Sequence, residues 1–303
     1  MLLPAALRGE EIVRFGRTAR MNVPPQIDGR LEPSVWGGAP ALTNFTQVIY
    51  GTGPSGARTD AFIGHDHERV YVGIDCREPR SSTLQDLVAE GRFAGFEESV
   101  ELFIQPDESG TYYQFMVGIT GKRHESRATD GTWSAPFQAA VQVDPRGYSV
   151  EMSIPAAALG ARLEMGALWR LNVNRTRSLS PTTEYSCWSN TGGGFHMPER
   201  FGFVVCGPYE TYFKNHADRT LASAAEEIEH LFQVYPASTQ TLGPLRNQAA
   251  GLTSALALKL GPSITTEDQA IDMFKRIREE KQRLDDVTSK VRLSIIRNEF
   301  REK

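Results

Sequence analysis

The sequence predicts a mainly β protein: an antiparallel β-sandwich of jelly-roll or immunoglobulin-like type, followed by a C-terminal α-helical extension. Two observations predict it. From about residue 20 to 208, short alternating apolar segments recur, separated by Gly- and Pro-rich turns, as strands of a sandwich do. After Pro208 the apolar period lengthens to threes and fours, as helices require. Residues 1–24 then form an N-terminal extension, 25–208 the sandwich and 209–303 a helical hairpin or bundle.

Within the β half, "TDAFIGHDHERVYVGIDC" (59–76) reads as a strand, a polar turn and a second strand, because Ala61, Ile63 and His65 alternate before "DHER" and Val70, Val72 and Ile74 resume the period of two. "SVELFIQPDESGTYYQFMVGIT" (99–120) repeats the plan around "PDESG", and "FQAAVQVDPRGYSVEMSIP" (137–155) repeats it around "DPRG", both rich in turn-forming residues. "WRLNVNRTR" (169–177) and "RFGFVVCGP" (200–208) supply further strands.

The helical part begins with 218–235, whose Leu221, Ala225, Ile228, Leu231 and Phe232 share one side. A second helix spans 242–260, and a long third spans 265–300. Thr265 or Thr266 caps the third, with Glu267 and Asp268 placed against its N-terminal dipole. Its stripe runs through Ile271, Phe274, Ile277, Leu284, Val287, Val291 and Ile295. Residues 209–303 hold 14 Lys+Arg and 14 Asp+Glu, so the net charge of −4 belongs to the β half. A charge-laced helix with one apolar stripe needs a partner surface, either the neighbouring helices, the sandwich or a second copy of the chain.

Composition narrows the function. The 303 residues include 40% hydrophobic and 23% charged residues, ordinary for a globular chain, and the negative charge argues against a nucleic-acid binder. No run approaches the roughly 18 apolar residues of a membrane span. The start, "MLLPAALRGEEIVRF", has neither the basic region nor the apolar length of a complete signal peptide. Cys76, Cys187 and Cys206 lack metal-site spacing and read as buried thiols.

Six blocks, in order, resemble family 9 carbohydrate-binding modules and their relatives in the DOMON-like superfamily. They are "QIDGRLEPSVW", "DHERVYVGIDCREP", "FEESVELFIQPD", "GYSVEMSIPAAAL", "GALWRLNVNRTR" and "CWSNTGGGFHMPERFG", and they cover roughly residues 25–206. The resemblance implies a secreted or periplasmic sandwich that binds glycan ends without catalysis. In such modules two Trp rings hold a pyranose while a Glu, an Arg and Asn side chains take its hydroxyls. On this chain the Glu falls on Glu101, the second ring on Phe195, and the first at Gly95 or Phe96, with Trp133 as another source of a facing ring. The Arg falls on Met116, and the loop Asn residues become glycines, leaving Asn190 nearest. Losing a charged partner from such a site costs about 1.5–3 kcal/mol. The resemblance also implies structural calcium, for which Asp66, Asp75 and Glu78 are the oxygen donors closest in sequence.

Two other readings compete. In one, the sugar site is lost and the chain is a scaffold that self-associates through its C-terminal helices. In the other, Met116, His124, His196 and Met197 offer axial ligands for a b-type haem. Glycine-rich "GTGPSG" and "GGGFHMPERFG" lack the Lys-Ser/Thr and following helix of a phosphate loop. Of Glu97, Glu98 and Glu101, strand alternation lets only Glu97 and Glu101 share a face, and nothing else builds a deep hydrolytic site around them. The chain is therefore expected not to be an enzyme.

Overall fold

A computed structural model describes residues 14–48, 53–106, 110–235 and 263–301, together with positions 243–245, 247–248, 250 and 251. The chain divides into two units, the first ending at Gly207 and the second starting at Pro208.

The first unit is a two-sheet sandwich. The alternating segments become hairpins: β5 (Thr59–His65) with β6 (Arg69–Arg77), β7 (Ser99–Gln105) with β8 (Tyr113–Gly118), and β10 (Gln138–Asp144) with β11 (Gly147–Pro155). β12 (Leu168–Arg177) is ten residues long and shares one edge between two partners. Its residues 168–171 pair with β14 (Gly202–Val205), its residues 174–177 with β13 (Glu184–Cys187), and its other edge with β7. Six strands go beyond those that periodicity predicts, one of them β13, whose four residues are too few to show a period. β9 (Arg123–Arg127) is a polar edge strand with no apolar alternation, while β1 (Phe15–Arg17), β2 (Ala19–Arg20), β3 (Ala41–Leu42) and β4 (Thr46–Gln47) have too few residues to show a period. Among the described residues, the first sheet runs β1-β14-β12-β7-β8-β9, with β4 beyond β13, and the second runs β10-β11-β6-β5-β2, with β3 on β5.

The antiparallel expectation needs one amendment. Residues 15–20, assigned above to an N-terminal extension, supply an edge strand to each sheet, and both edges pair in parallel: β1 with β14 and β2 with β5. A chain that passes directly from one sheet to the other at Thr18 meets each edge in the direction it happens to run.

Between the sheets lie Val72, Ile74, Leu102, Ile104, Phe115, Val117, Val150, Met152, Leu171, Val173 and Trp169. At one end the interior holds charge. Arg175, 1% exposed, lies 3.3 Å from Glu98 and 3.6 Å from Glu78, and Arg177 donates to Glu78 at 2.7 Å. The "IDG…W" segment covers the far side of the second sheet. Trp36, at the end of the short helix α1 (Pro33–Trp36), packs with Met21 and Tyr71 and donates its indole N–H to Glu151 at 2.8 Å. The other Glu151 oxygen accepts the Asp28 and Gly29 amides at 3.1 and 3.0 Å. Gly73 is required beneath this layer, since a Cβ there would lie 2.8 Å from Leu31 and 3.2 Å from the Trp36 ring. Gly29 turns at φ +87°, a conformation that favours glycine. Two more short helices, α2 (Ser81–Ala89) and α3 (Ala156–Leu159), link strands of this unit.

In the second unit α4 spans Tyr209–Val234, nine residues earlier than the periodicity indicates, and α5 spans Glu267–Arg301. Thr266 caps α5: its hydroxyl accepts the Gln269 amide at 3.3 Å while Gln269 Oε1 accepts the Thr266 amide at 3.2 Å, a reciprocal box. Ile228 and Phe232 of α4 pack against Leu284, Val287, Val291 and Ile295 of α5, and Arg292 pairs with Glu227 across them. At the start of α5, Ala270 and Met273 are buried, whereas Ile271 and Phe274 are only half-buried, so the stripe is rotated by one residue from its predicted course. The side chains of Leu221 and Ala225 lie outside the described residues, as does most of the second helix expected over 242–260, where the described positions 243–245, 247–248, 250 and 251 are helical. Among the described residues no helix is long and apolar enough to cross a membrane.

Candidate functional site

The site is built on the outward side of the first sheet. In an antiparallel pair, residues directly opposite one another point to the same face. Leu102, Phe115 and Val173 form one such row and face the core. One residue along, Glu101 lies opposite Met116 on β8 and Asn174 on β12, and Met116 lies opposite His124 on β9. That row therefore points away from the core.

Its centre is polar and nearly closed to water. Glu101 is 5% exposed, and its Oε2 accepts a 2.6 Å hydrogen bond from Gln114 Nε2. Gln114 Oε1 in turn accepts from the Ser126 hydroxyl at 3.0 Å. Burial pushes the Glu101 carboxyl up to about 7, and the bond from Gln114 opposes that rise. Asn174 is fully buried, yet neither its Nδ2 nor its Oδ1 has a hydrogen-bond partner. An unpaired buried amide of this kind costs about 1–3 kcal/mol per group, so native proteins rarely keep one without a use.

The walls are aromatic. Tyr185 of β13 stands opposite Thr176, and its ring lies 6.1 Å from that of Phe195 at 69°. Phe195 is carried by the loop "SNTGGGFH", which is pinned at its root. Asn172 exchanges two bonds with the Ser189 backbone, at 2.8 and 2.9 Å, and the Ser189 hydroxyl donates to the Arg200 carbonyl at 2.8 Å. Asn190 also pins the loop, because its Nδ2 donates to Thr46 Oγ1 and the Gln47 carbonyl while its Oδ1 accepts the Gly192 amide. It anchors the loop to β4 and is not presented to a ligand. Gly192 sits at φ +74°, and a Cβ there would lie 2.3 Å from the Arg200 guanidinium.

At the opposite end of the face, Phe96 lies beside Gly118, where an added Cβ would be 3.4 Å from its ring, and the Lys122 ammonium is 5.2 Å over that ring. Trp133 is not brought to this face. It packs on Tyr113 at 4.9 Å and Phe115 at 6.1 Å, on the core side of the sheet. Thus Glu101, Met116, Phe96 and Phe195 share one side of the sheet, while Trp133 and Asn190 serve the scaffold.

Three residues of this face escape sequence reasoning: Asn174, Gln114 and Tyr185. For Asn174 a signal exists, since in "LNVNRT" the polar residues alternate with core Leu171 and Val173 and must emerge on the other side. Nothing in the sequence announces that Gln114 and Tyr185 flank it.

The metal expectation is corrected. Asp66 sits in the β5–β6 turn opposite Arg69 and Asp75 lies near the far end of β6, about 20 Å away along the strand. Each carboxylate is also engaged. Asp66 accepts the Glu68 and Arg69 amides and the Tyr71 hydroxyl, Asp75 pairs with Arg77 at 2.7 Å, and Glu78 holds Arg177. The three do not fit a calcium ion, and among the described residues no group of three or more His, Cys, Asp and Glu side chains is placed to hold one. Of the haem candidates, Met116 and His124 rise side by side from adjacent strands, whereas axial ligands must oppose each other. His196 is tied to Tyr112, its Nδ1 3.0 Å from the hydroxyl, and packs edge-on against Phe103 at 4.9 Å. Glu98 bonds Arg175 in the interior and Glu101 faces outward, so these two carboxyls do not flank one substrate bond. A cavity of about 610 Å³ lies elsewhere, at the β5–β6 turn, where Arg69 is bonded to Ser153 and Arg162 pairs with Glu164.

A β-sandwich with a polar, aromatic-walled patch on one outer sheet face is the architecture of a ligand-binding module. The model of the family described as carbohydrate family 9 binding domain-like matches residues 27–206, more than half of the chain, and the chain belongs to that family. Among solved structures it is similar to a family 9 carbohydrate-binding module from Caldicellulosiruptor kristjanssonii in complex with cellotriose, with 17% identity, a TM-score of 0.47, and coverage of 62% of this chain and 92% of that one. A structure of such a module from the same organism in complex with glucose is similar at 17% identity and a TM-score of 0.46, covering 63% and 93%. No curated protein matches the chain.

Proposed function

We propose that the chain binds carbohydrate without transforming it, through the outer face of the first sheet. The observation that carries this reading is the fully buried Asn174, with both amide atoms unpaired, directly beside Glu101. A hydroxyl-rich ring satisfies such a pair, because each hydroxyl donates and accepts. The ring of Phe195, steadied by Tyr185, supplies an apolar surface for the C–H face of a sugar, and Phe96 closes the far end. Membership of the family supports the same ligand class.

Calorimetric titration of the full chain with soluble gluco-oligosaccharides tests the proposal. Binding is expected to weaken by about tenfold or more in Phe195→Ala while the thermal midpoint is kept. Equal affinity in the variant sinks the site assignment. Glycan recognition suits an extracellular or periplasmic setting, which cell fractionation checks. A second reading, self-association through α5, is favoured by Leu293 and Ile296, which are 56% and 50% exposed. Sedimentation that gives a monomer at every concentration removes it.

A further inference from the structure

The outer face of the first sheet has an acceptor with no cation. Glu101 Oε2 is taken by Gln114, and among the described residues no protein donor bonds Oε1. Its immediate neighbours, Met116 and Asn174, carry no charge. Arg175 and Arg177, on the same strand as Asn174, bond Glu98 and Glu78 instead. The other titratable groups on this face stand apart: Arg170, four residues along β12 from Asn174, lies over Phe203 and donates to the Pro198 and Glu199 carbonyls, and the Arg200 guanidinium lies against Gly192. His124 is one strand beyond Met116, Tyr185 is on β13, and Tyr112 and His196 cluster over Phe103. At the rim, Lys122 lies over Phe96 and Glu97 accepts the Gly95 amide. None of them offsets the burial of the Glu101 carboxyl, whose environment is set by desolvation and Gln114 alone.

We propose that the ligand of this face is an amino sugar with a free ammonium group, rather than a neutral hexose. This rests on the carbohydrate reading above and narrows it. An ammonium brings to Glu101 the positive charge that the protein withholds, and it has three N–H donors. One meets Glu101 Oε1. A second reaches Asn174 Oδ1, since side chains on directly opposite strand residues have Cβ atoms about 4.5–5.5 Å apart. Asn174 Nδ2 is left to donate to a neighbouring hydroxyl of the same ring. A neutral hydroxyl in the same place satisfies the hydrogen bonds but leaves a buried carboxylate without a counter-charge, which is the costlier arrangement.

The test is calorimetry on the full chain at about pH 7.5, with three β-1,4-linked trimers: the glucosamine trimer, cellotriose and the N-acetylglucosamine trimer. The glucosamine trimer is expected to bind about tenfold or more tightly than the other two. Glu101→Gln keeps the shape and an acceptor for Gln114 but removes the charge, and should bring the amine and neutral trimers within about threefold. Met116→Arg, which places a guanidinium beside Glu101, should reverse the preference, and circular dichroism verifies that both variants fold. Equal affinity of the parent chain for the amine and neutral trimers overturns the amine inference and leaves carbohydrate binding standing. Binding of none of the three overturns both. An amine preference undiminished in Glu101→Gln shows that another group reads the charge and overturns the assignment to Glu101.

Discussion

Replacing Glu101 by Gln should make the sandwich more stable, and only above a particular pH. The carboxyl is 5% exposed and is held at about 7, against an ordinary value of 4.5. A raised acid takes up its proton more readily in the folded chain than in the unfolded one. Between pH 4.5 and 7 the folded state therefore holds the extra proton, and stability falls as pH rises through that window. At about 1.36 kcal/mol for each pH unit, the difference between 4.5 and about 7 amounts to about 3 kcal/mol of lost stability once Glu101 is ionised. Glutamine never ionises and still accepts from Gln114. The variant should match the parent near pH 4 and exceed it by about 3 kcal/mol at pH 8, a urea midpoint higher by roughly 1.5 M for a slope of about 2 kcal/mol/M. All four tryptophans lie in the first unit, at 36, 133, 169 and 188, so tryptophan emission reads that unit directly. Parent and variant curves that run parallel with pH would refute the reasoning, because the Glu101 carboxyl would then sit at its ordinary value. If the prediction holds, the chain keeps a destabilising acid where a neutral residue would fit, as binding sites commonly do at the expense of stability.

Two further outcomes concern the scaffold that carries the face. Glu151→Ala leaves the Trp36 indole and the Asp28 and Gly29 amides without their acceptor, and should cost about 3–5 kcal/mol by chemical denaturation; a loss under about 1 kcal/mol would mean that water replaces the carboxylate. Arg175→Met strips the counter-charge from Glu98, which is 1% exposed, and should cost about 3–5 kcal/mol at neutral pH. That loss should shrink as pH falls, because burial already raises the Glu98 carboxyl despite Arg175, and protonation relieves the stranded charge. A cost independent of pH would point to lost packing on Tyr148 instead.

Local elements and family membership are legible in the order of residues alone. Alternation in "TDAFIGH", "SVELFIQ" and "GYSVEMSIP" is a property of neighbouring residues, so the three hairpins can be read directly, and so can Thr266 as the cap of α5. Block order names Glu101, Phe96, Met116 and Phe195, and they do share one side of the first sheet. What else joins them depends on how distant strands meet. Asn174 comes to Glu101 because β12 pairs with β7 in one register out of several, across 73 positions of chain, and a slip of one residue would have turned it into the core. The same long-range pairing puts Trp133 behind the sheet and draws residues 15–20 into both sheets. Periodicity records which way a side chain points relative to its neighbours. Which strands lie side by side is settled by burial of the whole core, a sum no single segment contains.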